Sequence, residues 1–294
     1  MIEILKCPVC SSKKLTSYLE TKDYFFTNED FALAKCDSCG FVFTNPIPSV
    51  EDIGKYYETE NYLSHDSTNK GIIGSIYNKV RDINLNNKYK IVSQHKITGS
   101  ILDIGCGTGE LLNYFKNKQW DSKGIEPNKS ARDFASQNYD INVGDEPELG
   151  EINNKKFDVV SMWHVLEHVY DLRERMNAIV RILKDDGVII IALPMVDSPD
   201  SVKFEKYWAG LDVPRHLYHF STKTFELLAN NHGLNIVGKY PMKFDSFYVS
   251  WLSHKAKKNS LSFVRGVADG FISNARANKS SNYSSMIFVL KKDL

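Results

Sequence analysis

The segment Ile101-Leu102-Asp103-Ile104-Gly105-Cys106-Gly107-Thr108-Gly109 passes from a short run suited to a buried strand into three glycines spaced two apart. Leu111, Leu112 and Phe115 follow on one helical face. Glycines where a strand becomes a helix let the backbone turn tightly and approach a ligand closely. In open α/β sheets, ligands bind at the carboxyl ends of strands near the switch point, where such a turn lies. The spacing of the glycines is weak evidence alone, and three neighbours sharpen it. Asp103 precedes the glycines; a carboxylate there suits an ammonium or a hydroxyl and repels a pyrophosphate, against a plain dinucleotide site. Glu126 closes the next strand, at the place where an acid accepts hydrogen bonds from ribose hydroxyls. Gly144-Asp145 follows the third strand, where a carboxylate suits an adenine amino group.

Outward from this turn the chain alternates strands and helices. Strands are expected at Lys123–Ile125, Ile141–Val143, Phe157–Met162 and Val188–Leu193, with late strands at Leu234–Gly238 and Met286–Leu290. Helices are expected over about 129–137, 172–183 with Asp185-Asp186-Gly187 as its left-handed end, and 221–232 capped by Ser221. Apolar spacing from Ile72 predicts a helix to about His95, after a polar stretch over 59–69. Apolar strands alternating with helices imply a parallel sheet covered on both faces. Pro46 and Pro48 mark a rigid junction, after which Ser49 is placed to cap a helix containing Val50, Ile53, Tyr56 and Tyr57. The expected divisions are a module over 1–48, a helical lead-in over 49–95 and a main domain over 96–294. That domain carries a loop at 195–220 and a helical insertion at 244–277.

Asp103-Ile104-Gly105-Cys106-Gly107-Thr108-Gly109, Gly124-Ile125-Glu126-Pro127-Asn128 and Phe157-Asp158-Val159-Val160 together resemble the cofactor motifs of class I S-adenosylmethionine-dependent methyltransferases. Order and spacing match from about Ser100 to Pro194, a third of the chain. The resemblance implies a Rossmann-like α/β fold with a seven-stranded, mostly parallel sheet and a late antiparallel strand. It places Asp103 at the methionine end, Gly105, Cys106, Gly107 and Gly109 along it, Glu126 and Pro127 by the ribose and Asp145 by the adenine. Trp163 and His164 then stand against cofactor and acceptor. The same residues admit a nucleotide-binding oxidoreductase, or a turn kept for packing. Cys106 has no base assigned beside it, and its small side chain suits a crowded turn.

Cys7-Pro8-Val9-Cys10 and Cys36-Asp37-Ser38-Cys39 form two C-x2-C turns. Each presents two thiolates to one point, giving the four-sulfur set that zinc prefers, with no open coordination position. Cys7, Cys10, Cys36 and Cys39 are therefore read as a structural zinc ribbon; disulfide or redox chemistry is the competing reading. A cysteine module ahead of a class I domain is also similar to sugar C-methyltransferases of deoxysugar biosynthesis, although this chain lacks their extra C-terminal domain.

Methyl transfer is an in-line displacement, so the protein must align the acceptor and take its proton where needed. Histidine titrates near neutrality. His164 and His168 follow the fourth strand in Trp163-His164-Val165-Leu166-Glu167-His168, and His216 and His219 lie in the loop after the fifth. All four are candidate bases, each with the bland alternative of holding the local backbone. Trp208, Asp212, Arg215, His216, Tyr218 and His219 are the candidate acceptor-binding set, Arg215 suiting a carboxylate or phosphate; the alternative is a cap whose groups satisfy one another.

Composition bounds the rest. Over 294 residues, 37 Lys and Arg stand against 36 Asp and Glu, so the charge is +1 and a large nucleic-acid footprint is disfavoured. Neither a secretory leader nor a membrane span is read, which points to a cytoplasmic protein without a membrane partner. Oligomeric state is not legible. The expected function is methyl transfer from S-adenosylmethionine to a small-molecule acceptor such as a nucleotide sugar. The alternatives are a non-catalytic S-adenosylmethionine-binding scaffold and an RNA methyltransferase guided by the ribbon.

Overall fold

The computed structural model describes residues 1–57 and 72–293, with the backbone alone over 72–80. The polar stretch 59–69 lies outside the described residues. Eleven strands are formed: β1 (Leu15–Lys22), β2 (Asp30–Cys36), β3 (Val42–Thr44), β4 (Ser100–Ile104), β5 (Asp121–Ile125), β6 (Asn142–Gly144), β7 (Phe157–Trp163), β8 (Leu183–Pro194), β9 (Tyr218–His219), β10 (Leu234–Pro241) and β11 (Ser285–Lys292). The helices are α1 (Ile72–Ser93), α2 (Glu110–Lys116), α3 (Lys129–Tyr139), α4 (Glu148–Glu151), α5 (Leu172–Ile182), α6 (Pro199–Phe204), α7 (Thr222–Asn230), α8 (Asp245–Ala256) and α9 (Ser262–Ser280).

Seven strands form one sheet in the order β10-β11-β8-β7-β4-β5-β6, parallel across β7-β4-β5-β6, with one antiparallel edge. This is the mostly parallel sheet expected. Ile101, Leu102, Ile104, Val159, Val160 and Met162 are buried, as the two-sided cover of a parallel strand requires. Burying each such side chain contributes about 1.5–3 kcal/mol. The chain runs from β4 to β5 on one side while β7 pairs on the other, so the carboxyl end of β4 is the switch point.

The described chain divides into two compact units. One comprises Met1–Glu58, His164–Arg175 and Ile191–Val289; the other comprises Thr59–Trp163, Met176–Ile190 and Leu290–Leu294. In the first unit a four-stranded antiparallel sheet runs β1-β2-β3-β9. Phe31, Leu33, Val42, Tyr56, Phe204, Trp208, Leu211 and Val213 pack into its core. The pairing of β3 with β9 was not visible in the sequence: Val42 and Phe43 sit opposite His219 and Tyr218, two short apolar segments far apart in the chain.

Two local expectations are corrected. Asp185-Asp186-Gly187 does not end a helix: α5 stops at Ile182 and the next twelve residues are strand β8. A side chain at Gly187 would meet the Leu183 side chain at 2.8 Å, so the glycine serves packing within the strand. Ser49 does not open a full helix either. Its Oγ accepts from Asp52 N at 3.2 Å, but only a 3-10 turn over Ile53–Tyr56 follows. By contrast, Ser221 caps α7 with a reciprocal Thr224 bond, and Gly233 at φ +66 closes it.

Candidate functional site

In the second unit, the glycine turn leaves β4 with Gly105, Gly107 and Gly109 all left-handed, at φ +72, +53 and +79. A Cβ on Gly109 would stand 2.8 Å from Ala135 Cβ, while Gly107 has open space beside it. The backbone is thus bare on one side and tight on the other, as a close ligand approach requires. Asp103 is 3% exposed, and Ser161 Oγ donates to its Oδ1 at 2.6 Å. Burial raises the Asp103 carboxyl to about 6 from an ordinary 3.8, and nearby Lys88 opposes that rise. Its Oδ2 has no partner among the described residues. A desolvated carboxylate with one free oxygen fits a cationic ligand group.

Glu126 is held at both oxygens by backbone: Gly107 N donates to Oε2 and Asn128 N to Oε1, each at 2.9 Å. Each oxygen keeps a second lone pair, so the carboxylate is aimed and still able to accept from a diol. Pro127 O and Glu126 O both accept from Arg132, whose guanidinium also meets Asp145 at 3.2 and 3.3 Å. The Asp145 carboxylate is therefore engaged. Cys106 Sγ lies where a Cβ on Gly124 would fall, and burial pushes its thiol far up, so it is no nucleophile. Trp163 has a buried indole N–H with no partner among the described residues, and Lys88 Nζ stands 4.2 Å from its ring centroid. Lys88 and Ser161 carried no sequence signal; only the folded register brings them to Asp103 and Trp163.

The first unit holds the histidines. His164 has φ +57, a conformation costly for a residue with a Cβ. Its Nδ1 lies 3.4 Å from Glu167 Oε1 and its Nε2 3.3 Å from Asp245 Oδ2. Burial alone would lower it, but the two carboxylates raise it to about 10, so it is a cation at neutral pH. Glu167 is fully buried, neither oxygen makes a hydrogen bond of good geometry, and His164 keeps it ionised against burial. His168 Nδ1 meets Arg215 O at 3.0 Å and Tyr57 Oη at 3.1 Å, and burial pulls it down to about 4. His219 is buried against Thr44 Oγ1 at 3.1 Å and is lowered to about 3 by burial. His216 is half-buried, with Nδ1 3.0 Å from Gly210 O, a carbonyl that can only accept, so Nδ1 is the donor in that contact. The rings of His168 and His216 meet edge-on at 4.7 Å. One ligand atom each from Glu167, His168 and His216 lies within 4.8 Å of the others, a donor set of a kind that holds a divalent cation.

The other loop residues are engaged. Arg215, 3% exposed, spends its five N–H groups on Asp212, Asp23 and Tyr56 O, which leaves none for an acceptor anion. Trp208 donates to buried Asp200 at 2.9 Å, and Tyr218 Oη donates to Tyr170 O at 2.9 Å. Thus the structure brings His164, Glu167, His168 and His216 together, and puts Trp208, Arg215 and Tyr218 into supporting networks. Asp23, Tyr57 and Asp245 complete these networks from segments the sequence did not connect.

The four N-terminal thiols converge in the same unit. Cys7 and Cys39 sulfurs are 3.6 Å apart, Cys10 and Cys36 3.5 Å, and all four lie within 4.8 Å of one another. A tetrahedron with metal–sulfur bonds near 2.3 Å has edges of about 3.8 Å, whereas a disulfide needs about 2.05 Å. The donor set therefore fits zinc. Left-handed Ser11 and Gly40 follow the two turns, where Ser11 N and Gly40 N return to the carbonyls of Cys7 and Cys36.

A family model described as a methyltransferase domain matches residues 80–239, more than half of the chain. An uncharacterised protein of Methanocaldococcus jannaschii is 34% identical over 94 residues, covering 32% of this chain and 36% of that protein. A ubiquinone biosynthesis O-methyltransferase of Rickettsia bellii is 28% identical over 138 residues, covering 44% of this chain and 58% of that protein. The chain therefore spans between 36% and 58% of the length of these relatives. A solved putative sarcosine dimethylglycine methyltransferase from Galdieria sulphuraria aligns with a TM-score of 0.50 at 14% identity, over 72% of this chain and 86% of that one. An S-adenosylmethionine-dependent methyltransferase from Archaeoglobus fulgidus aligns with a TM-score of 0.49 at 19% identity, over 72% and 94%.

Proposed function

The chain belongs to the methyltransferase-domain family, and from that membership we propose that it transfers a methyl group from S-adenosylmethionine to a small-molecule acceptor, with zinc structural at the four cysteines. The observation that carries the proposal is Asp103: a buried carboxylate with a free oxygen, set immediately before three left-handed glycines at the sheet's switch point. S-adenosylmethionine supplies an electrophilic methyl on a sulfonium and presents an ammonium, a ribose diol and an adenine to the protein. In this reading Asp103 Oδ2 accepts from the ammonium and the two backbone-held oxygens of Glu126 accept from the diol. The acceptor proton goes to His216 Nε2, because its Nδ1 hydrogen is committed to Gly210 O. His164 stays protonated and keeps Glu167 charged; that charge in turn stabilises a proton arriving on the neighbouring imidazoles.

Zinc would be held by Cys7, Cys10, Cys36 and Cys39, closing the ribbon with no open position for chemistry. The acceptor class is supported by the relatives' names only in that ubiquinone biosynthesis O-methyltransferases are among them. Calorimetric titration with S-adenosylmethionine and S-adenosylhomocysteine, with NAD as the control, tests the reading. Binding of the first two alone supports it and opens an acceptor screen beginning with nucleotide sugars; binding of neither overturns it.

A further inference from the structure

Helices α8 and α9 form a hairpin whose amphipathic order is inverted. The buried residues of α9 are Gly266, Asp269, Gly270, Ser273 and Ala277, none of them large and apolar. A Cβ on Gly266 would stand 2.5 Å from Trp251 Cα, and one on Gly270 2.5 Å from Phe247 Cδ1. The glycines therefore fix the rotation of α9, and its large apolar side chains face outward. Val264, Phe271 and Ile272 follow one helical face with Ala268 and Ala275, and Leu261 and Phe263 extend it around the turn. Leu261 is 72% exposed, Phe263 63% and Phe271 64%. Phe244 and Tyr248 of the α8 end are exposed too.

Charge decides what covers this face. Residues 243–279 hold Lys243, Lys255, Lys257, Lys258, Arg265, Arg276 and Lys279 against Asp245 and Asp269 alone, a net +5 in a chain of +1. Asp245 is engaged by His164, and Asp269 by Lys203 and His254. The seven cations are all exposed, and Arg265, Arg276 and Lys279 lie on α9 itself beside the stripe. A second copy seated on this face would set Arg265 and Arg276 against the same arginines. No helix among the described residues is long and apolar enough to cross a membrane. An exposed apolar stripe with a basic rim and no span is the pattern of a helix lying in a bilayer interface, its apolar side chains in the acyl boundary and its cations among anionic headgroups. We propose that the α8–α9 hairpin docks this protein on an anionic lipid surface. The stripe is not legible in the sequence because it shows only once α9 is packed on α8.

The test is flotation of the full chain with phosphatidylcholine vesicles, with and without phosphatidylglycerol, at low and high salt. Binding is expected only with phosphatidylglycerol and is released by high salt. Phe263→Ser with Phe271→Ser, and separately Arg265→Glu with Arg276→Glu, should each weaken partitioning about ten-fold or more. Melting behaviour and S-adenosylmethionine titration of both variants should match the parent, which separates loss of docking from loss of fold. The proposal is overturned if the chain ignores anionic vesicles at low salt, or if both variants float like the parent. A dimer by light scattering that the Phe variant dissolves, in a chain that ignores vesicles, assigns the face to a second copy instead.

Discussion

Asp103→Asn separates what the site does for a ligand from what it costs the fold. Burial raises the Asp103 carboxyl from 3.8 to about 6. The sign follows from that direction: a carboxyl whose folded value lies above its unfolded value penalises the folded state once pH exceeds the unfolded value, and the penalty is complete above the folded one. One pH unit is worth about 1.36 kcal/mol, so the full penalty is about 3 kcal/mol. Asparagine keeps an oxygen to accept from Ser161 and carries no charge, so the ligand-free variant should be more stable than the parent near pH 7.5. Allowing for the lost attraction to Lys88, a gain of about 1–3 kcal/mol, or a few degrees in melting temperature, is expected. The difference should shrink to about half near pH 5 and almost vanish near pH 3, where the parent carboxyl is protonated in both states. S-adenosylmethionine affinity should move the other way, weakening about 10–100-fold with loss of a charge-assisted hydrogen bond. Paired urea melts at three pH values and one calorimetric titration measure all of this. If the variant is less stable than the parent at pH 7.5, Asp103 is a structural anchor; if its affinity is unchanged, the ligand does not touch it.

Cys36→Ser should lower bound zinc well below one ion per chain and lower the melting temperature, read by metal analysis and a thermal scan; full retention of metal would reject the ribbon assignment. His216→Asn should cut turnover by about 10²–10⁴-fold while leaving S-adenosylmethionine affinity intact, and equal losses in both would remove His216 as the base. Arg215→Ala strands the buried Asp23 carboxylate and should cost about 3–5 kcal/mol in a urea melt; a change below 1 kcal/mol would mean that the network is not stabilising. Because His164 is raised to about 10, its ion pairs stabilise fully below pH 6.5 and are lost as pH rises through about 10. Its side chain is about one-third exposed, so solvent screening limits the effect to about 1–2 kcal/mol, and Asp245→Asn should flatten that slope. An unchanged slope in the variant would place the titration elsewhere.

The parallel sheet was legible because each strand announces itself locally. Val188–Leu193 is a continuous apolar run ending at proline, and Ile101–Ile104 is apolar but for Asp103 and ends at glycine, as burial on both faces requires. The four thiols were legible because two C-x2-C turns need only meet. What stayed hidden depends on long-range register. Nothing near Val42 says that it will pair with His219, and nothing near Asp23 says that it will neutralise Arg215. Gly187 misled because a glycine after two aspartates has the composition of a helix end, while the apolar demand of β8 drew the strand back to Leu183.

The histidines show the same limit in chemical form. In sequence His164, His168, His216 and His219 are equivalent candidates, since each is a group of ordinary value near 6.5 in a polar, aromatic segment. Their surroundings separate them. His164 sits between two carboxylates and holds its proton, so it has no lone pair to offer at neutral pH. His168 and His219 are desolvated to about 4 and about 3, which makes them weak bases. His168 and His216 both combine partial exposure, an Nδ1 on a carbonyl and a ring beside buried Glu167, and burial weakens His168 as a base, which leaves His216. Glu167 is fully buried, and protonated His164, 3.4 Å from its Oε1, already offsets part of that cost. A proton taken up by His216 would add a second positive charge beside the same carboxylate, which in this reading favours that proton transfer at the step where the acceptor gives it up.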